Sequence, residues 1–171
     1  MKQTLGEEWK SFFDVQCEWC EKPHFFRPGR KKPFKVVDTS DSIFEGPECD
    51  TLEEGKEYLF GNYEVLEEFF KAKLSSSSLK FLFFGDSLMS DCGASAKLPN
   101  WDAFAIIEEL QDVAPDLPAS EKDYMMKYEA SWGNYFFEQT DKGPVITLWI
   151  DYVRQRCRYA VPFMSWIKYL M

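Results

Sequence analysis

Leu79-Lys80-Phe81-Leu82-Phe83-Phe84, followed at once by Gly85-Asp86-Ser87-Leu88-Met89-Ser90-Asp91, is the stretch on which the fold turns. The six residues before the glycine are almost continuously apolar, as a strand buried on both faces requires. Gly85 breaks the run, and a second apolar run, Ala103–Ile107, follows a connection containing Pro99 and Asn100. Two apolar strands joined by a crossover predict a parallel sheet, and so an α/β, Rossmann-like fold.

The same stretch carries two carboxylates just past the carboxyl end of its strand, where open α/β sheets build ligand crevices. On a single helix, residues five apart would point about 140° from each other. Asp86 and Asp91 therefore converge only if Asp86 ends the strand and Asp91 lies in the loop or helix start beyond it. So placed, hard oxygen ligands flanked by Ser87 and Ser90 suit Mg²⁺, which takes one or two carboxylates together with waters and a phosphate. The alternative is a polar strand-to-helix loop in which Asp91 caps a helix.

Working outward, Asp14-Val15-Gln16-Cys17-Glu18-Trp19 alternates polar and apolar residues and reads as a half-buried strand. Residues 20–57 are rich in turn formers, with one short strand expected at Pro33–Val37. Val65, Leu66, Phe69 and Phe70 recur at helical spacing, predicting a helix from Tyr63 to Lys73 capped by Asn62. Ser75–Ser78 is a loop. Ser120 and Asp123 resemble a capping box, opening a helix with Tyr124, Tyr128 and Trp132 on one face. A last helix is expected from Thr147 to Tyr169, bent at Pro162. Residues 3–13 carry only a short helical pattern (Leu5, Trp9, Phe12, Phe13).

The chain has 171 residues, 45% of them apolar and 18% aromatic, enough to bury a core and to exclude intrinsic disorder. With 20 Lys and Arg against 29 Asp and Glu, its net charge of −9 excludes a nucleic-acid-coating protein. Apolar stretches such as Val145–Ile150 fall far short of the roughly 20 residues that span a bilayer. The opening residues lack an apolar signal core, and the five cysteines are an odd set without framework spacing. Together these features predict a cytoplasmic protein with reduced thiols.

Three smaller features offer chemistry. Lys22, in Glu21-Lys22-Pro23-His24-Phe25-Phe26, follows the first strand, where an ammonium group can neutralise a phosphoryl group or simply be solvated. Arg27, Arg30, Lys31 and Lys32 form the one dense basic patch, suited to a phosphate or an acidic partner, or to solvent alone. Cys17-Glu18-Trp19-Cys20 has CxxC spacing with His24 nearby, but no second CxxC exists, and strand positions 17 and 20 face opposite sides. His24 is the sole histidine, and no G-x-S-x-G, P-loop or dinucleotide fingerprint is present.

Taken together, the pieces resemble the cytosolic 5′-nucleotidase and 5′-nucleotidase domain-containing family of the haloacid-dehalogenase superfamily, from about Phe13 to Leu170. The carriers are Phe13-Asp14-Val15, Lys22-Pro23 with Phe25-Phe26, Lys32-Pro33-Phe34 and Gly61-Asn62. They continue through Phe84-Gly85-Asp86-Ser87 with Ser90-Asp91, Trp101, and Ile106-Ile107-Glu108-Glu109-Leu110. The resemblance implies Mg²⁺-dependent dephosphorylation of nucleoside monophosphates, in which an aspartate attacks the phosphoryl group and water then cleaves the aspartyl-phosphate. It also implies roles for three residues: Lys22 neutralises the phosphoryl group, Asp86 ligates Mg²⁺, and Asp91 is a second acid holding the metal's water shell.

One departure is plain: the family's nucleophile and acid/base form an Asp-x-Asp pair, and no two aspartates in this sequence are two apart. The expectation is therefore the C-terminal part of a haloacid-dehalogenase-like core over residues 1–114, lacking its first strand, with a helical extension over 115–171 packed on it. Such a chain is expected to be inactive alone. It would expose a sheet edge through which it self-associates or meets a partner. Beside this reading stand a non-catalytic interaction protein or pseudo-phosphatase, and a small zinc module built on the CxxC.

Overall fold

A computed structural model of the chain describes residues 3, 6–40, 45–108, 110 and 137–165, in two units, residues 1–79 and residues 80–171. In the first unit, the alternating stretch forms β1 (Gln16–Glu18), which pairs in parallel with β4 (Glu57–Phe60). Between them in sequence lie β2 (Phe34–Val37) and β3 (Glu45–Cys49); β2 runs antiparallel to both β3 and β4, giving the order β1-β4-β2-β3.

The core of this unit is aromatic. Phe34, Tyr58 and Leu59 are almost wholly buried, and the Phe34 and Tyr58 rings meet edge to face at 5.9 Å. A single 3₁₀ turn, His24–Phe26, drives Phe25 and Phe26 into the same core, with Phe25 6.4 Å from Phe34. Helix α1 (Tyr63–Lys73) starts where expected: Asn62 Oδ1 accepts the Val65 N–H at 3.1 Å, while Asn62 Nδ2 donates to the Lys32 carbonyl at 2.9 Å. At its other end Lys73 pairs with Asp14 and, at 2.7 Å, with Glu54.

In the second unit, β5 (Phe81–Gly85), β6 (Trp101–Ile106) and β9 (Tyr159–Val161) form a wholly parallel sheet in that order. Ala103, Phe104 and Ala105 of the central β6 are buried, as expected for a strand covered on both faces. Rings cross the ladder: Phe81 stacks on Trp101 at 4.8 Å, Phe84 meets Phe104 at 4.8 Å, and Phe104 meets Tyr159 at 5.0 Å. β7 (Phe137–Thr140) and β8 (Gly143–Ile146) make a hairpin ahead of α2 (Leu148–Arg156). Val153 of α2 joins Leu88, Cys92, Ala103, Ala105 and Ile107 in the core.

The structure bears out the mixed α/β class and the parallel pairing of the two apolar runs. It corrects two details. The strand near 14–19 pairs with β4, whose Tyr58-Leu59-Phe60 form a strand that the reading left unassigned between the turn-rich stretch 20–57 and the helix at Tyr63. The helix expected over Thr147–Tyr169 stops at Arg156: Cys157 is extended (φ −105°, ψ 138°), and Tyr159-Ala160-Val161 pair with β6. Near the start, Trp9–Phe12 forms a 3₁₀ turn with no buried residue. The helix expected after Ser120, and the boundary near residue 114, lie outside the described residues. Among the described residues no helix is long and apolar enough to cross a membrane.

Candidate functional site

β5 ends at Gly85, and the chain enters a π-helical turn, Leu88–Cys92, that continues as Gly93–Ser95. Ser87 caps this turn: its Oγ accepts the Ser90 N–H at 3.3 Å and lies 2.6 Å from Ser90 Oγ, which donates to it. The Ser87 carbonyl in turn accepts both the Asp91 N–H (3.0 Å) and the Cys92 N–H (3.1 Å). Wide turns of this kind recur at functional sites, where they redirect side chains.

This geometry gives the two carboxylates different situations. Asp86 sits at the carboxyl end of β5 and is exposed. Asp91 is only 2% exposed; its Oδ2 accepts the Ser87 N–H at 3.3 Å, and its side chain lies against Gly85. Asp91 therefore does not cap a helix; Ser87 does, and Asp91 folds back beneath the loop that carries Asp86. A hydrogen bond with Cys157, then burial, push the Cys92 thiol far above its ordinary range, and the two carboxylates add smaller contributions in the same direction.

Lys22 lies in the first unit, exposed, in the loop after β1. That loop is strained: Trp19 (φ 50°) and Glu21 (φ 54°) are non-glycine residues in the left-handed region, a cost of order 1 kcal/mol each. The Lys22–Pro23 peptide is cis. The parallel neighbour β4 ends in the same manner, with Phe60 at φ 66° and Gly61 at φ 80°. The Trp19 and Phe60 rings lie 6.4 Å apart, and Lys32 Nζ stands 4.1 Å over Phe60. Gly61 is required twice over, since a Cβ there would be in a disfavoured conformation and inside the Phe34 ring.

The CxxC pair is held as thiols. Burial pushes Cys17 up to about 12 and Cys20 up to about 11, and Cys20 Sγ donates to the Cys17 carbonyl at 3.4 Å. Among the described residues no group of three or more His, Cys, Asp or Glu is placed to hold a metal ion. Sequence reasoning named Asp86, Asp91 and Lys22 as candidates and Asn62 as the cap of α1, and the structure bears out the cap. Sequence reasoning missed the contacts Gly85 against Asp91 and Gly61 against Phe34; a glycine ending each strand was the available signal.

Comparison with known proteins bears on this arrangement. Residues 1–136 match the 5′ nucleotidase family, and the chain belongs to that family. Among its relatives is the human 5′-nucleotidase domain-containing protein 2, 34% identical over 111 residues, which are 65% of this chain and 20% of that protein. The bovine 5′-nucleotidase domain-containing protein 1 is 26% identical over 148 residues, 78% of this chain and 32% of its own. Its human counterpart is 29% identical over 108 residues, covering 63% of this chain and 23% of that protein. The chain thus spans between a fifth and a third of the length of these relatives.

Proposed function

We propose that this chain is a portion of a Mg²⁺-dependent, haloacid-dehalogenase-type 5′-nucleotidase, acting in the complete protein on nucleoside monophosphates in the cytoplasm. It supplies the phosphoryl-neutralising lysine and the metal-binding acid. The observation that carries the reading is the division of labour at the end of β5, with Asp86 exposed and Asp91 buried beneath it. One exposed carboxylate fits Mg²⁺, whose remaining positions are filled by water, phosphate and other carboxylates. When bound, the ion neutralises phosphoryl charge.

The residues of this chain have distinct tasks in that reading. Asp86 presents an oxygen to the metal. Asp91, tied to the Ser87 amide, holds the loop so that Asp86 keeps its aim, and is a positioning residue. Lys22, on its strained loop, meets the phosphoryl oxygens as a point charge. With no Asp-x-Asp pair in the sequence, nothing here plays the nucleophile and its acid/base, so the chain alone does not turn over.

The test has two parts. The 171-residue chain, incubated with nucleoside monophosphates and Mg²⁺, should release no phosphate above the blank. Mg²⁺ should bind weakly, in the millimolar range, and Asp86→Asn should abolish that binding. Steady Mg²⁺-dependent phosphate release that disappears in Asp86→Asn overturns the inactivity, and Mg²⁺ binding indifferent to Asp86→Asn overturns the metal assignment.

A second reading, a non-catalytic interaction protein, draws on the edge of the second sheet. β5 has β6 on one side, no strand on the other among the described residues, and Leu82 54% exposed.

A further inference from the structure

The basic patch finds no use in the proposed chemistry, yet two of its residues, Arg27 and Arg30, line a pocket. After the buried Phe25 and Phe26, the chain makes a tight turn over Arg27-Pro28-Gly29-Arg30. The Arg30 N–H donates to the Arg27 carbonyl at 3.2 Å, and Gly29 takes φ +72°. Proline and glycine at the two central positions are what a type II turn demands. The turn is fastened to α1 by the Gly29 N–H, which donates to Glu64 Oε1 at 3.1 Å. It is therefore a fixed wall.

This wall borders an open pocket of about 460 Å³ lined by His24, Arg27, Pro28, Gly29 and Arg30. The volume is within the range of small-ligand sites. A Cβ placed on Gly29 would meet nothing within 4 Å, so the turn's backbone faces open space. From Lys22 to Val37 the sequence contains six lysines and arginines and not one acid, in a chain whose net charge is −9.

The electrostatics single out Arg30. Its side chain is 13% exposed; one end of the guanidinium, Nη2, is held by Glu21, which also pairs with Lys32. The other end, Nη1, is buried without a hydrogen-bond partner. A buried charged donor lacking an acceptor is costly, and such a group calls for one. Glu21, shared between two cations that hold its carboxyl below the ordinary range, has little left to give. Arg27 is exposed and forms no ion pair among the described residues. Planar guanidinium groups are matched to the oxygens of a phosphoryl group.

We infer that the His24–Arg27–Arg30 cavity is a binding site for a small phosphoryl oxyanion, either inorganic phosphate or a phosphate monoester. A modest turn of the Arg30 side chain at the cavity wall brings Nη1 onto the ligand, with Arg27 and His24 closing over it. The inference does not rest on the nucleotidase reading, since Lys22, Asp86 and Asp91 do not line this cavity.

The test is calorimetric titration of the full 171-residue chain in EDTA, at fixed ionic strength, with sodium phosphate and separately with adenosine monophosphate. Saturable binding of order 1 mM is expected, with sodium chloride giving none. Arg30 also anchors Glu21, so the exposed pair carries the test: Arg27→Gln and His24→Gln should each weaken binding, the arginine change about tenfold. Lys31→Gln, outside the cavity, should leave it within about twofold. Tighter binding of the monoester, lost in the same variants, identifies an organic phosphate as the ligand; equal binding identifies the free ion. Absence of saturable heat up to about 20 mM phosphate, or affinity unchanged in correctly folded Arg27→Gln and His24→Gln, overturns the site.

Discussion

Gly85 and Asp91 are in direct contact across the loop that joins β5 to its π-helical turn: a Cβ added to Gly85 would stand 2.5 Å from Asp91 Cβ and 2.6 Å from its Oδ2. Only a hydrogen atom leaves room for the buried carboxylate to reach the Ser87 amide. Gly85→Ala should therefore push Asp91 aside and destabilise the protein by about 1–3 kcal/mol, read as a lower urea midpoint. Adding Asp91→Ala to Gly85→Ala should cost less than the two single changes summed, because it removes the clash. Strict additivity would show that the two side chains do not constrain each other.

A second constraint fixes the start of α1. Asn62→Ala removes both the cap on Val65 and the bond to the Lys32 carbonyl, an expected loss of about 1–2 kcal/mol. Gly61→Ala should cost more, since it adds a left-handed alanine and a clash with the buried Phe34 ring. Equilibrium denaturation of the two variants orders them directly. If Gly61→Ala proved the milder, the Phe34 ring would have to be free to move.

These two contacts mark where the sequence stopped being legible. Helix α1 and its cap were readable because four apolar residues at helical spacing and an asparagine before them are purely local signals. The β5–β6 pair was readable because continuous apolar runs leave few alternatives. β3 escaped notice because Glu45-Gly46-Pro47-Glu48-Cys49 has no strand signature and is held by its neighbour β2. β9 escaped for the same reason: its three residues depend on β6, one long-range pairing. At the site, residue types and order pointed to Asp86 and Asp91, but their unequal burial follows from the turn geometry, which no spacing rule encodes.

The cysteines should separate by reactivity. Cys157 is lowered below its ordinary value by a hydrogen bond from Cys92, whereas burial raises Cys17 to about 12 and Cys20 to about 11, and the hydrogen bond to Cys157 together with burial raises Cys92. The thiolate is the reacting species, so a group with a lowered value has more of it at a given pH. Near pH 7.5, iodoacetamide should modify Cys157 first, as peptide mass spectrometry would report. Cys92→Ala should then move the Cys157 labelling profile to higher pH, because the donor that stabilises its thiolate is gone. Earlier labelling of Cys17 or Cys20 would contradict the assignment.

Among the described residues β5 has a strand on one side alone, which bears on both functional readings. An edge strand that carries an exposed apolar residue is a template for another strand, and a single charge is the usual natural block. Leu82, 54% exposed, is the position at which to place one. The protein should accordingly self-associate with rising concentration, seen as increasing weight-average mass in sedimentation. Leu82→Lys should shift that association to higher concentration by about tenfold, while its circular dichroism stays unchanged. The lysine removes little buried area, so the fold has no reason to suffer. A chain that stays monomeric at every concentration, with an unfolding midpoint independent of concentration, would mean that the outer side of β5 is not a free edge. A chain that associates equally well with Leu82→Lys would locate the contact elsewhere.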